Sequence, residues 1–284
     1  MKLATFTHDG TTRIGSVEGD EIVDLTAGGA PTSMLALIEG GDDALATARS
    51  AAQSGPRLAL ADVRLEAPIG RPPKILAVGL NYRAHAAECG LDPPAIPVIF
   101  NKQSTSANGP FDDVHVPPDS VQIDYEGELA IVIGKRCRRV SRQDAASVIL
   151  GYTVANDATV RDWQLRVPTM TMGKSWDTHC PFGPWIVTAD EVADPHKLAL
   201  RTLVNGEVRQ EAETSDLIFD CYEVIEHLST AFTLEPGDLI LTGTPSGVAI
   251  FREGQPWLKA GDIVEVEIEG LGAIRNKMVA EPTS

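Results

Sequence analysis

In the run I-D-Y-E-G-E-L-A-I-V-I-G, residues 123–134, apolar side chains fill both parities of a β-strand, yet acids stand at its head. Successive strand side chains alternate faces, so Asp124, Glu126, Glu128, Ala130 and Val132 share one side. Tyr125, Leu129, Ile131 and Ile133 occupy the other. Both sides turn apolar, which predicts a strand covered on both faces with its acids aimed at protein rather than water. The run D-I-V-E-V-E-I-E near the C-terminus differs. There Glu265, Glu267 and Glu269 alternate with Val264, Val266 and Ile268, the pattern of one wet and one dry face. Further apolar runs at 75–78, 98–100, 151–155, 185–187, 200–204 and 239–242 predict strands. Helical patterns are fewer, chiefly 142–148 and 217–229. The first 66 residues pattern as short strands (2–7, 13–18, 21–24) joined by D-G and G-D turns, then helical stretches at 34–38 and 44–53. The proline-rich segment A-P-I-G-R-P-P-K, residues 67–74, predicts a boundary between a small N-terminal α/β module (1–70) and a larger domain (71–284). Many strands with few helices between them predict a mostly β (α+β) fold, antiparallel and barrel-like or sandwich-like rather than doubly wound.

Charge narrows the partners. The 284 residues carry 24 Lys+Arg against 40 Asp+Glu, a formal net charge of −16, with no basic cluster. That argues against nucleic acid or an anionic membrane surface as partner. No apolar stretch approaches ~20 residues, and the first residues lack a signal-peptide pattern. Cys89, Cys137, Cys180 and Cys221 are widely spaced without a C-x-x-C, as free thiols in a reducing compartment would be. A soluble cytoplasmic protein is expected.

The candidate chemistry is built on oxygen. Asp157 ends the apolar run in G-Y-T-V-A-N-D-A-T-V-R-D-W-Q, and with Glu126 and Glu128 it would make an all-carboxylate site. Hard oxygen ligands suit Mg²⁺, Mn²⁺ or Ca²⁺. The competing reading is a rim network in which Glu126 and Glu128 pair with Arg or Lys. In G-L-N-Y-R-A-H-A-A-E-C-G, His85 and Glu88 stand three apart and would share one face of a helical turn, either as a general-base dyad or as a surface pair. Lys174 sits in M-G-K-S-W-D-T-H-C-P-F-G-P-W among apolar residues, where it would stabilise an enolate or merely snorkel. The Gly-rich run P-G-D-L-I-L-T-G-T-P-S-G-V, residues 236–248, offers backbone N–H groups and the Thr244 hydroxyl to a carboxylate. It lacks the ending of a phosphate loop.

Taken together and in this order, these motifs resemble the fumarylacetoacetate hydrolase family across residues 75–250, and L-K-A-G-D-I-V-E-V-E-I-E-G-L-G extends the likeness almost to the end. The first 70 residues match loosely. The resemblance implies a β-roll-like catalytic domain, commonly homodimeric, in which Glu126, Glu128 and Asp157 bind Mg²⁺ or Mn²⁺. It implies that His85 and Glu88 activate water on a lid segment and that Lys174 acts beside them. Gln164, Thr244, Arg161 and Lys102 would contact a small 2-oxo acid substrate. Asp124 matches no ligand position and is expected at the rim or behind the ligands. Trp163, Arg166, Met170, Trp176 and Arg252 are candidates for the substrate's distal end. The implied reaction is hydrolysis of the C–C bond of a 2,4-dioxo acid through a metal-stabilised pyruvate enolate. The family also embraces oxaloacetate decarboxylation, isomerisation of an unsaturated 2-hydroxydienoate in aromatic catabolism, and a silent metal-binding role.

Overall fold

The computed structural model describes residues 1–282. Among these, the longest sheet runs in one open path through Arg57–Ala59, Glu21–Asp24, Thr11–Glu18, Lys2–His8, Cys180–Thr188, Ile149–Asn156, Gly127–Ile133, Leu239–Leu241, Ile75–Gly79 and Val98–Lys102. A second sheet orders Glu207–Glu213, Ala199–Val204, Ile263–Ile268, Gly272–Ala280 and Val114–Val116. Most pairs are antiparallel. Leu239–Leu241 with Ile75–Gly79, and Gly272–Ala280 with Val114–Val116, are parallel. The fold is mixed α+β, strand-dominated, and its sheets pack without closing into a barrel.

Strand Gly127–Ile133 explains its own composition. Leu129, Ile131 and Ile133 enter a core shared with Val264, Val266 and Ile268 of the second sheet. Ala130 and Val132 enter another, with Leu37, Ile38 and Ile75. A strand with a core on each face has no reason to alternate. The Glu265 and Glu267 strand does alternate, with Val264, Val266 and Ile268 buried and the acids partly open. The N-terminal strands are not a separate sheet. Lys2–His8 pairs with Cys180–Thr188, and the helices Met34–Glu39 and Gly41–Ser54 pack into the second core.

Three local expectations need correction. The run 123–134 is two strands, Ile123–Asp124 and Gly127–Ile133, broken at Tyr125 and Glu126. At the break the Glu126 N–H goes to Asn156 Oδ1 (2.9 Å) and the Gly127 N–H to Gln210 Oε1 (3.0 Å), so side chains replace a ladder partner. The helical pattern at 142–148 yields only a 3₁₀ turn, Ala145–Val148. The helix expected from 217 begins at Cys221, because Asp220 caps it and Glu223 closes a capping box.

Candidate active site

Register brings the acids together. Gly127 pairs with Asn156 and Glu128 with Ala155, which sets Asp157, next after Asn156, beside Glu126 and Glu128. The Asp157 N–H bonds the Glu126 carbonyl at 2.8 Å. One carboxylate oxygen from each of Glu126, Glu128 and Asp157 lies within 4.8 Å of the others, and all three residues are buried. Gly127 lets the second sheet approach, since a Cβ there would strike Thr202 Oγ1.

The acids are not bare. Lys174 Nζ donates to Glu126 Oε2 and Asp157 Oδ2, both at 2.6 Å, and Arg161 Nη2 meets Glu126 Oε1 at 2.7 Å. Lys102 Nζ sits 2.7 Å from Asp157 Oδ1 and also donates to the backbone carbonyls of Ala158 and Lys174. The Arg–Lys network expected as an alternative to a metal site is therefore present, but buried rather than on a rim. Burial opposes ionisation of Glu126, yet Lys174 and Arg161 hold its carboxyl at about 2. Burial likewise disfavours the Lys174 ammonium, and Asp157 and Glu126 raise its pKa nonetheless.

Glu128 is the exception. Its Oε2 accepts the Gly243 N–H at 2.6 Å, and among the described residues no basic side chain forms an ion pair with it. Burial, then Asp157 and Glu126, push its carboxyl well above the ordinary range. Gly243 has φ of +102°, and a Cβ would crowd Asn81 and the Val78 carbonyl, so only glycine delivers that N–H. An unpaired buried carboxylate beside two others is what a divalent cation would stabilise. The all-oxygen donor set fits Mg²⁺ or Mn²⁺.

Helix Arg83–Glu88 carries the dyad. His85 Nδ1–H donates to Glu88 Oε2 at 2.8 Å, and Glu88 Oε1 accepts the Gly247 N–H at 2.8 Å. His85 Nε2 keeps only a weak contact with the Cys89 thiol at 3.9 Å. Burial lowers the proton affinity of the imidazole, but bonds to Cys89 and Glu88 carry its pKa up to about 9.

A cavity of about 230 Å³ joins these groups, lined by His85, Glu126, Glu128 and Lys174 among others. That is below the ~300–1,000 Å³ of drug-sized sites and suits a small acid. Of the expected substrate contacts, Arg161, Gln164 and Thr244 also line it. Lys102 does not; it is buried behind Asp157. Met170 lines the cavity, whereas Trp163, Trp176, Arg166 and Arg252 do not. Trp163 packs edge-on against Trp176, and Arg166 stacks over Trp163 at 3.8 Å. Thr244 Oγ1 donates to the Gly127 carbonyl and accepts from Gln210 Nε2 (2.8 Å).

Sequence reading missed Gln210 and Asn156, which hold the backbone at the strand break, and the full role of Asp124. Asp124 accepts N–H groups from Ala249 (2.7 Å) and Ile250 (3.1 Å) and from Arg161 Nε (2.8 Å). It anchors Arg161 behind Glu126. Only its position beside two other acids hinted at this.

The pattern matched to residues 74–279 is the fumarylacetoacetate (FAA) hydrolase C-terminal domain, and an Rv2993c-like N-terminal pattern matches residues 1–68. The chain belongs to the fumarylacetoacetate hydrolase family. Within it, the chain is 43% identical over 267 residues to a protein of Xenopus laevis named oxaloacetate tautomerase fahd2, mitochondrial, covering 92% of this chain and 84% of that one. It superposes at a TM-score of 0.84 on maleylpyruvate hydrolase from Sphingobium sp. SYK-6 in complex with manganese(II) and pyruvate, at 37% identity over 99% of this chain and 100% of that one. The 2-hydroxyhepta-2,4-diene-1,7-dioate isomerase of Mycobacterium marinum superposes at 0.80 with 36% identity, covering both chains fully. A hydrolase and an isomerase thus share this family member's fold, and a tautomerase is its relative in sequence. Among the described residues no helix is long and apolar enough to cross a membrane.

Proposed function

We propose that this family member moves a proton at C3 of a small 2-oxo acid, interconverting its enol and keto forms. The observation that carries the reading is the His85–Glu88 dyad, 2.8 Å long, which fixes the ring through Nδ1 and leaves Nε2 with only a 3.9 Å contact to the Cys89 thiol. In the enol-to-keto direction Nε2–H delivers its proton to C3. The C2–C3 π electrons form the new C–H bond, and the hydroxyl electrons close the carbonyl. The hydroxyl proton leaves to water or back to Nε2, so protons balance. Glu88 steadies the imidazolium before the transfer and fixes the ring's orientation throughout. A divalent cation held by Glu126, Glu128 and Asp157 would supply electrostatic stabilisation of negative charge on the 2-oxo and carboxylate oxygens. Lys174 adds a positive charge in the same wall. Gln164 and Thr244 orient the acid, Arg161 braces Glu126, and Lys102 braces Asp157.

The name of the Xenopus relative supports proton transfer, and the pyruvate bound to the Sphingobium hydrolase supports a 2-oxo acid ligand. Hydrolysis of a 2,4-dioxo acid is the second reading, favoured by the same oriented imidazole, which would activate water when deprotonated. The reading includes a homodimer, supported by the exposed apolar side chains of Leu165, Val167 and Met172. Light scattering should return twice the 30.3 kDa chain mass.

The test is deuterium entry at C3 of pyruvate in D₂O, followed by proton NMR with Mg²⁺ and with EDTA. Catalysed exchange with Mg²⁺, abolished by EDTA and lowered by about 10²–10⁴-fold in His85→Ala, is expected. Cleavage of acylpyruvates without any C3 exchange would leave hydrolysis as the function.

A further inference from the structure

We infer that Tyr125 is a positioning residue for the His85 imidazole, acting from the strand break beside Glu126 through Gly247 and Glu88. The role rests on the proton-transfer reading above. Tyr125 Oη donates to the Gly247 carbonyl at 2.9 Å. The Gly247 N–H donates to Glu88 Oε1 at 2.8 Å, and Glu88 Oε2 holds His85 Nδ1 at 2.8 Å. Three bonds in series thus join the residue before Glu126 to the imidazole.

Each link is held from behind. The Tyr125 ring is fully buried in the core that also takes Ile123, Leu129 and Leu258, and close packing keeps its hydroxyl from swinging away. Asp124, its neighbour in the break, accepts the Ala249 and Ile250 N–H groups at 2.7 and 3.1 Å. Residues 124 and 125 therefore grip the loop on both sides of Val248. The same loop meets His85 a second time, where the Phe251 ring lies edge-on to the imidazole with centroids 6.1 Å apart. His85 also faces the Cys89 thiol at 3.9 Å and shares the cavity with Glu126.

Burial alone does not account for the Tyr125 bond. A buried phenol usually finds an acceptor, yet Tyr82, equally buried, has none among the described residues. At position 125 the acceptor is the carbonyl of the one residue whose N–H orients Glu88. Gly247 has φ of +108°, and a glycine backbone turns freely unless something outside it holds it. The Tyr125 hydroxyl is that hold.

The test removes the hydroxyl alone. Tyr125→Phe keeps the ring in its core, and melting curves should show it folded. In Mg²⁺-loaded protein with isotope-labelled histidine, the His85 Nδ1–H proton should resonate far downfield in wild type, the mark of a short bond to a carboxylate. In Tyr125→Phe it should move upfield and broaden as the dyad loosens. The kcat for C3 exchange of pyruvate should fall by roughly 10–10²-fold with KM unchanged, the cost of a misaimed catalytic group. Mn²⁺ affinity should stay at the wild-type value, because Glu126 keeps Arg161 and Lys174. In a His85→Ala background, Tyr125→Phe should cost nothing further. An unmoved resonance or an unchanged kcat overturns the role. So does a loss that persists in full without the imidazole, or one that comes with weakened Mn²⁺ binding. Should wild type catalyse no exchange, the proton-transfer reading falls, and the resonance alone decides whether Tyr125 holds the ring.

Discussion

Gly247 donates its backbone N–H to Glu88 Oε1 at 2.8 Å, which ties the helix carrying His85 to the glycine-rich loop. The second oxygen of the same carboxylate holds His85 Nδ1. Gly247 has φ of +108°, and a Cβ would collide with the Arg209 carbonyl, so no other residue makes this contact without moving the loop. The dyad is therefore set by loop geometry as much as by helical spacing.

Glu88→Gln should keep the Gly247 bond but place an amide N–H against Nδ1 and remove the anion beside the imidazole. The His85 pKa should fall from about 9, read by NMR titration of the ring protons. Proton transfer should drop by about 10²–10⁴-fold. Stability should report the same change. The folded pKa is raised above 6.5, so the protonated imidazole stabilises the fold fully below pH 6.5, and that contribution is lost as pH rises through about 9. Denaturation midpoints of Glu88→Gln should be flatter than wild type over this window. An unchanged slope would mean that Glu88 does not set the proton affinity.

Glu126→Gln and Glu128→Gln should both abolish divalent-cation binding yet differ in stability without metal. Glu126 has two basic partners, Arg161 and Lys174, and removing one member of a buried ion pair costs about 3–5 kcal/mol. Among the described residues Glu128 has only the Gly243 N–H as a hydrogen-bond partner, so its amide should be tolerated or stabilising in the metal-free protein. Mn²⁺ at 100-fold over Kd should stabilise wild type by about 2.7 kcal/mol and neither variant. Melting curves with Mn²⁺ and with EDTA decide it. Equal destabilisation of the two metal-free variants would contradict the ion-pair assignment.

Asp124→Asn should act through the fold rather than through the cation. The carboxylate accepts from Ala249, Ile250 and Arg161, and an amide can satisfy only part of that set. A loss of about 3–5 kcal/mol in urea unfolding is expected, as for a broken buried pair. Mn²⁺ affinity should change far less than in Glu128→Gln. A variant of wild-type stability would show that the loop at 249–250 does not depend on this anchor.

Spacing made Glu126 with Glu128, and His85 with Glu88, legible as neighbours, two apart along a strand and three apart on a helical turn. The union of the two glutamates with Asp157 as a metal site, and the dyad's role, rested on the family resemblance. The parity argument placed all three acids toward protein, although the strand is broken at Tyr125 and Glu126. Asp124, across the break, faces the Ala249 and Ile250 N–H groups and Arg161. The counter-ions were not legible as such. Lys102, Arg161 and Lys174 come from separate elements, and no local pattern says that they converge on Asp157 and Glu126. The strands Glu207–Glu213 and Gly272–Ala280 escaped for different reasons. The first is a sheet edge rich in charge, E-V-R-Q-E-A-E, and edges are blunted that way. In the second, the buried Asn276 interrupts an alternation that Ile274 and Met278 otherwise keep. Its amide donates to the Gly109 and Asp112 carbonyls, a partner choice only tertiary structure reveals.

Removing the imidazole should separate three reactions that one cavity would otherwise support together. Proton exchange at C3 of pyruvate needs a group that takes and returns a proton, and His85 Nε2 is the nitrogen placed for it. Hydrolysis of an acylpyruvate needs a base to activate water. Decarboxylation of oxaloacetate needs neither to break its bond: CO₂ departs, the C3–C4 electron pair stays behind and spreads into the 2-oxo group, and the enolate takes its proton from water. His85→Ala should therefore lower kcat/KM for exchange and for hydrolysis by about 10²–10⁴-fold, and lower decarboxylation clearly less. Glu128→Gln, which leaves the dyad intact, should depress all three alike. The measurement is kcat/KM for pyruvate exchange, acylpyruvate cleavage and oxaloacetate decarboxylation in wild type and both variants. Equal losses in His85→Ala would mean that the imidazole positions substrate rather than carrying its proton, and the dyad would lose its chemical role.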